Sequence, residues 1–276
     1  MKIALVQQHA TSDKTDNLNR GIAAVRQAAA DGAQVIAFAE LAFEPFYPQI
    51  PADQQTWAAN PKDLAEAIPG PTTDVFQKLA AELEVVIIIN LYEKDGDKAY
   101  DTSPVIDADG SLLGRTRMVH ITDYEAFHER GYYDAGDLGA PVFHTRYGKI
   151  GVAICYDRHF PEYTRALSLA GVDVIFVPQA GAVGEWPAGL YEAELQVASF
   201  QNGVFTALCN RVGVEERLEF AGESYVCNPS GCVIAHADTG SDEILHAELD
   251  LTEVNSSHAK QLFLGDRRPE LYVDWL

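Results

Sequence analysis

Basic residues are scarce in this sequence. Its 276 residues include 20 Lys and Arg against 41 Asp and Glu, which gives a formal net charge of -21. A chain this acidic repels polyanions, and no local cluster of Lys or Arg offsets the repulsion. We therefore expect neither a nucleic acid nor a membrane surface as a partner.

Long apolar runs are also missing. The apolar part of the opening segment MKIALVQQHA is too short for a signal peptide, and no segment reaches the roughly 18 apolar residues of a spanning helix. With 47% hydrophobic residues the chain can still bury a large core. We expect a globular cytoplasmic protein.

The sequence also lacks the cysteine motifs of metal sites and the glycine-rich motifs of nucleotide sites. The four cysteines are irregularly spaced and none forms a CxxC pair with histidines at zinc spacing. The sequence has no GxGxxG after a strand and no GxxxxGK[ST], the motifs that bind nucleotide phosphates. We expect reduced thiols, no metal and no cofactor, so the chemistry must come from side chains.

Short apolar segments typical of strands alternate with stretches of helical periodicity in both halves of the chain. The predicted strands include 2–6, 34–40, 85–90, 149–155 and 172–178. The predicted helices lie near 18–29, 72–83, 161–170 and 188–202. Asp109-Gly110, between two further strands, is a strong hairpin signal. No linker-like segment interrupts the pattern, which favours one α/β domain over residues 1–276 with a mixed sheet or sheets.

Two predicted strands end on reactive side chains. Segment 34–40 ends at Glu40 and segment 149–155 ends at Cys155. Ligands of open α/β sheets bind beyond the carboxyl ends of strands, and a carboxylate beside a thiol can accept its proton and return it to a leaving group. A lone cysteine is more often a small buried apolar residue, and a lone glutamate a solvated carboxylate.

Five blocks of sequence together resemble the nitrilase, or carbon-nitrogen hydrolase, superfamily. They are VIAFAEL, YDTSPVIDADGSLLGRTRMVHI, FHERGYY, GVAICYDRHFPE and RRPELY, and they span nearly the whole chain. Within that superfamily the sequence looks most similar to the β-ureidopropionase and N-carbamoyl-amino-acid amidohydrolase branches. The resemblance implies a four-layer αββα sandwich with two mixed β-sheets. It also implies a homodimer or higher homo-oligomer, with a tail of about 258–276 at a subunit interface.

The resemblance also implies roles for individual residues. Glu40 would be the general base and Cys155 the nucleophile, which forms a thioester that water hydrolyses. Glu129 would be the second carboxylate, and the backbone N–H of Tyr156 a donor to the oxyanion. The implied substrate is a small amide, an N-carbamoyl compound or a nitrile.

Position 118 departs from the family pattern, since Met118 stands where the family has its catalytic lysine. A unit charge about 4 Å away is worth about 4 kcal/mol at an effective dielectric near 20, so the loss matters. Another donor could replace the lysine, the substrate could bring its own cation or undergo different chemistry, or the enzyme could be weakened. A nonhydrolytic binding protein and a nitrile-directed enzyme are the alternative functions. The plain structural interpretation of Met118 is core packing.

Further candidates surround these residues. If the strand continues, His120 shares a face with Met118, while Arg115 and Arg117 point the opposite way. Arg158 and His159 follow the nucleophile, where the resemblance implies contact with a substrate carboxylate. An internal ion pair from Arg158 to Asp157, Glu162 or Glu129 is the equal alternative for that arginine. Gln179, at another predicted strand end, is a candidate for lining the pocket.

Overall fold

Two mixed β-sheets, each covered by helices on its outer side, form the chain in the computed structural model, which describes residues 1–274. The first sheet has strand order β15-β1-β2-β3-β5-β4, with β6 paired to β5. Its strands are β1 (Lys2–Gln7), β2 (Val35–Phe38), β3 (Val86–Ile88), β4 (Leu91–Asp95), β5 (Lys98–Ile106), β6 (Leu112–Arg117) and β15 (Glu243–Glu248).

The second sheet has strand order β14-β13-β10-β9-β8-β7. Its strands are β7 (Val142–Thr145), β8 (Gly148–Val152), β9 (Val174–Gln179), β10 (Phe205–Asn210), β13 (Tyr225–Cys227) and β14 (Val233–His236). A separate ribbon pairs β11 (Val212–Val214) with β12 (Glu219–Ala221). The central pairs β1-β2, β2-β3, β8-β9 and β9-β10 are parallel, and hairpins supply the antiparallel edges.

The helices are short and mostly lie against the outer faces of the sheets. They are α1 (Lys14–Ala30), α2 (Pro71–Leu83), α3 (Pro161–Leu169), α4 (Leu190–Asn202), α5 (Thr252–Ser256) and α6 (Pro269–Tyr272). Helix α1 begins where Asp13 accepts hydrogen bonds from two backbone N–H groups of its first turn. Gly32, at a φ of 93°, follows its end, as the sequence predicted. No helix of the described chain is long and apolar enough to cross a membrane.

Three apolar clusters define the four layers. One cluster lies between the sheets and joins Leu5 of β1 to Phe176 of β9. A second packs α1 and α2 on the first sheet, and a third packs α3 and α4 on the second. Strand β3 is buried on both faces because it lies between the helices and the other sheet, as its unbroken apolar run predicted. The expected αββα sandwich is therefore confirmed.

Candidate active site

The three residues on which the sequence argument depends meet between the sheets. One carboxylate oxygen of Glu40, one of Glu129 and the sulfur of Cys155 all lie within 4.8 Å of one another. All three side chains are buried. Their convergence makes this hollow the candidate active site.

Glu40 lies just beyond the end of a strand rather than on it. Strand β2 ends at Phe38, two residues earlier than predicted, and the backbone then turns sharply at Leu41, whose φ is 45°. The Leu41 N–H donates to Asn90 Oδ1 at 2.8 Å, and Arg211 donates to the Glu40 carbonyl at 2.9 Å. These bonds fix the loop so that the Glu40 carboxyl is turned into the hollow.

Cys155 occupies a strained turn. Strand β8 ends at Val152, so the prediction that the strand reaches Cys155 is wrong by three residues. The cysteine begins a 3₁₀ helix, Cys155–His159, with a φ of 41° that few non-glycine residues adopt. Such strain persists only where the surrounding structure enforces it, and it is commonest at functional sites. A hydrogen bond from the Ala180 backbone also reaches the cysteine and favours its thiolate.

Glu129 comes from the loop between β6 and β7. It begins a 3₁₀ helix, Glu129–Gly131, whose following residues Tyr132 and Tyr133 donate backbone N–H bonds to the Glu129 carbonyl at 2.8 Å. One carboxylate oxygen accepts the Thr122 N–H at 3.2 Å, and the other accepts no hydrogen bond within residues 1–274. That second oxygen is available to a ligand.

Asp101 is a fourth buried acid that the sequence argument missed. Asn90 donates to one of its oxygens at 2.5 Å, and its carboxyl also contacts that of Glu40. The contact raises the pKa of Asp101 and lowers that of Glu40, so a proton shared by the two carboxyls stays on Asp101. Asp101 was missed because nothing in its local sequence distinguishes it from an ordinary strand residue.

Met118 lies directly opposite Asp101. Its N–H donates to the Asp101 carbonyl at 2.9 Å, which continues the β5-β6 pairing by one residue. Side chains of directly opposed residues share a face, so the Met118 thioether lies beside Asp101 and is fully buried between the sheets. Across residues 1–274, no Lys, Arg or His side chain pairs with Glu40, Glu129 or Asp101.

The electrostatics follow from burial and from like charges. Burial, together with the nearby Glu129, raises the pKa of Glu40 to about 8. Burial also raises the pKa of Glu129, as does Asp101, and burial together with Glu40 and Glu129 raises the pKa of the Cys155 thiol. A neutral thiol therefore faces a carboxyl that titrates near neutral pH, as a general base should.

His120 does not substitute for the missing lysine. Strand β6 ends at Arg117, so the alternation that would give His120 the same direction as Met118 does not extend that far. The His120 ring bonds Asp157 at 2.7 Å and stacks on Phe160 with ring centres 3.5 Å apart. It is thus committed to orienting the turn after Cys155.

Arg115 and Arg117 do point away from the hollow, as the alternation predicts. Both pair with Glu93 on the outer side of the sheet, at 3.1 Å and 2.7 Å respectively. Neither arginine is therefore placed to replace the missing lysine.

Arg158 forms an internal ion pair, but with a different partner from those predicted. It is buried and pairs with Glu194 of α4 at 3.3 Å, rather than with Asp157, Glu162 or Glu129. His159 bonds the same carboxylate at 2.7 Å. Long-range packing of α4 supplies this partner, so the local sequence could not reveal it.

Two remaining candidates lie at the positions expected. Tyr156 is in the first turn of the 3₁₀ helix at Cys155, where backbone N–H groups lack partners within the helix. Gln179 ends β9, and its buried side-chain oxygen accepts no hydrogen bond in the described part of the chain. Both are therefore available as substrate-binding groups, and their roles stay predictions.

A cleft of about 760 Å³ lies at the loops of residues 124–128 and 182–185. Its lining includes Tyr124, Phe127 and Glu185, and the Tyr124 hydroxyl bonds the Glu185 carboxylate. Cys155 and Glu129 both raise the pKa of Tyr124, although burial is the main cause, which places this pair close to the reactive groups. No sequence motif pointed to either residue.

The sulfur and the two carboxylates are also close enough together to coordinate a metal ion. Thiolate with carboxylate is a ligand set that divalent metals accept. The expectation of no metal therefore stays a prediction.

Comparison with known proteins identifies the family. The model of the carbon-nitrogen hydrolase family matches residues 2–259. The chain belongs to the carbon-nitrogen hydrolase family. It is an enzyme of that type, and the resemblance inferred from the five sequence blocks is confirmed.

Two comparisons place this carbon-nitrogen hydrolase among its relatives. It is 35% identical to an N-carbamoylputrescine amidase of Arabidopsis thaliana over 275 residues, 94% of this chain and 90% of the relative. A carbon-nitrogen hydrolase of Helicobacter pylori G27 has a TM-score of 0.90 at 27% identity, covering 100% of this chain and 98% of the other.

A third comparison bears on the cysteine. An amidase variant from Nesterenkonia sp. AN1 has a TM-score of 0.82 at 25% identity, covering 100% of this hydrolase and 97% of the other chain. It shows covalent addition of the acetamide moiety of fluoroacetamide at its active-site cysteine. A cysteine nucleophile is thus shown for a protein of the same fold.

Proposed function

We propose that this carbon-nitrogen hydrolase cleaves a small amide or N-carbamoyl compound through a thioester on Cys155. The observation that carries the proposal is the meeting of the Cys155 thiol with the Glu40 and Glu129 carboxyls inside 4.8 Å. Relatives named as an N-carbamoylputrescine amidase and an amidase support the same bond type. The cleft at Tyr124 and Glu185 suits a small-molecule substrate.

In the first half-reaction Glu40 takes the thiol proton as the sulfur attacks the carbonyl carbon. The C–S bond forms and the carbonyl oxygen becomes an oxyanion, to which the Tyr156 N–H donates. When the C–N bond breaks, the leaving nitrogen takes the proton from Glu40 and departs as ammonia or an amine. The acyl group remains on the sulfur as a thioester.

In the second half-reaction Glu40 removes a proton from water. The water oxygen attacks the thioester carbon, the C–S bond breaks, and Glu40 returns the proton to the sulfur. Glu129, which has one free oxygen, orients the substrate N–H or the water. The cycle consumes one water and yields an acid and an amine.

The working enzyme is proposed to be a cytoplasmic homodimer or larger homo-oligomer. Exposed apolar residues on α3, α4 and the C-terminal segment support this assembly, namely Leu169, Leu190, Val197, Phe200, Leu262 and Phe263. The proposed interface tail, about 258–276, continues beyond the described residues at Trp275 and Leu276. The single-domain boundary at 1–276 is part of the same proposal.

An ammonia-release panel tests the reaction. Purified enzyme is incubated with aliphatic amides, N-carbamoyl amino acids and the matching nitriles, and both ammonia and acid are measured. We expect ammonia and acid in equal amounts from an amide, or ammonia, carbon dioxide and the free amine in equal amounts from an N-carbamoyl compound. Ligand recovered unchanged after long incubation with every member of the panel would contradict the proposal and favour a nonhydrolytic binding protein.

A further inference from the structure

The hollow contains more acidic groups than a neutral carbonyl substrate needs. Glu40, Asp101 and Glu129 are each fully buried, and the thiol of Cys155 adds a potential fourth negative group. Neither oxygen of Glu40 accepts a hydrogen bond from an amide, hydroxyl or cationic side chain within residues 1–274. Asp101 keeps the proton that it shares with Glu40, so the carboxylates that a cation would neutralise are those of Glu40 and Glu129.

A tyrosine hydroxyl gives a second sign of a ligand. The Tyr133 hydroxyl is buried and has no hydrogen-bond partner in the described chain. After burial itself, Asp101, Glu40 and Glu129 are the groups that raise the pKa of Tyr133, so the hydroxyl lies against the same hollow. Buried hydroxyls are rarely left unpaired, which indicates that a polar group binds here.

Within residues 1–274 no cationic side chain bonds a carboxyl of the hollow. Arg211 bonds the Glu40 backbone carbonyl and only partly offsets the rise in the pKa of Glu40 that burial and Glu129 cause. Met118 prevents a cation from lying behind the carboxyls. Its side chain is fully buried beside Asp101, so the space where a lysine would extend holds a thioether. A ligand cation must therefore lie on the thiol side. There the sulfur is within 4.8 Å of both the Glu40 and Glu129 oxygens. A cationic group of the substrate that contacts both carboxylates therefore also contacts the sulfur, so the positive charge lies on the carbon that the sulfur attacks.

We propose that the preferred reacting group is a cationic amidinium or guanidinium carbon rather than a neutral carbonyl. An amidinium is planar and carries N–H donors on both sides of its carbon, which suits the free oxygens of Glu40 and Glu129. The inference rests on the proposed Cys155 nucleophile and changes only the substrate class.

The change in charge during attack by the sulfur favours an amidinium substrate over an amide substrate. Attack on an amide creates an oxyanion amid carboxylates, whereas attack on an amidinium converts a cation into neutral amino nitrogens. The C–S bond forms while Glu40 takes the thiol proton, and then one C–N bond breaks as that proton leaves with ammonia. Water next adds to the protonated thioimidate carbon while Glu40 takes one of its protons, and the C–S bond breaks as the sulfur regains that proton. The products are an amide, the restored thiol and ammonium, which carries the proton that the amidinium brought.

Isosteric pairs test the proposal with the full-length enzyme. Acetamidine is compared with acetamide, and benzamidine with benzamide, by ammonia release. We expect the kcat/KM for the amidine to exceed that for the amide by about 10²-fold or more. Met118→Lys, which restores a cation beside Asp101, is expected to reverse the preference. Met118→Leu, the volume control, is expected to keep it.

If Met118→Lys does not fold, Glu129→Gln carries the same test, because it removes a carboxylate whose free oxygen would bind the amidinium and nearly keeps the shape. We expect it to raise the KM for acetamidine several-fold more than that for acetamide. Amide turnover through a Cys155 thioester with no amidine turnover would overturn this inference and leave the proposed function standing. No ammonia from either member of either pair would overturn this inference, while the proposed function would still be decided by the N-carbamoyl members of the ammonia-release panel.

Discussion

Replacing Cys155 by alanine is expected to reduce kcat by at least about 10⁴-fold, because among residues 1–274 Cys155 supplies the only thiol beside the two carboxylates. The other cysteines do not belong to the cluster: Cys209 and Cys227 are buried in strands of the second sheet, and Cys232 is exposed. Steady-state ammonia release with the best substrate of the panel measures the loss.

Cys232→Ala is the matched control. It removes one thiol from the exposed surface near β14 and touches no group of the active site. We expect its kcat and its thermal midpoint to match those of the unmodified enzyme. Normal turnover by Cys155→Ala, or a comparable loss in the Cys232 control, would eliminate the thioester mechanism.

Replacing Glu40 by glutamine should lower kcat/KM by about 10² to 10⁴-fold, the usual contribution of a positioned general base. The amide has nearly the same volume and cannot accept the thiol proton. In the unmodified enzyme the pKa of Glu40 is raised to about 8 by burial and by Glu129. Activity should therefore rise with pH as this carboxyl loses its proton, and the rise near 8 should be absent from the variant.

Glu44→Gln is the control for this experiment. Glu44 is also buried and close to Glu40 in the sequence. Its carboxylate, however, accepts a hydrogen bond from the Tyr47 hydroxyl at 2.9 Å and forms an ion pair with Lys14 at 2.6 Å. We expect that variant to lose some stability and to keep the pH profile. A Glu40→Gln enzyme with the same rise near pH 8 would assign the titration to another group.

Sequence patterns located the reactive groups but not their local geometry. Apolar runs ending in Glu40 and Cys155 were sufficient to predict that both lie near strand ends, because burial alone sets that pattern. The strands end two and three residues earlier than predicted. Those extra residues form the turns that direct the side chains inward. Turn geometry of this kind depends on hydrogen bonds with residues far away in the sequence, such as Asn90 and Arg211 at the Glu40 turn.

The pairing of Asp101 with Met118 follows from counting out from the predicted turn. Equal counting outward from Asp109-Gly110 places Asp101 opposite Met118, and the structure has this register over 102–105 and 114–117. A bulge between Val105 and Ile106 disturbs the register only next to the turn. Counting could not show that this face of the sheet lies toward Glu40, because that depends on how the two sheets pack together.

The central claim is that the buried thiol of Cys155, activated by Glu40, is the nucleophile. Peptide mapping by mass spectrometry after incubation with fluoroacetamide tests it most directly. All four cysteines lie in the described residues, and Cys232 is the exposed one, so simple access favours labelling there. We predict the acetamide group on Cys155, with Cys232 unmodified. A label on Cys232 while Cys155 stays unmodified would contradict the account.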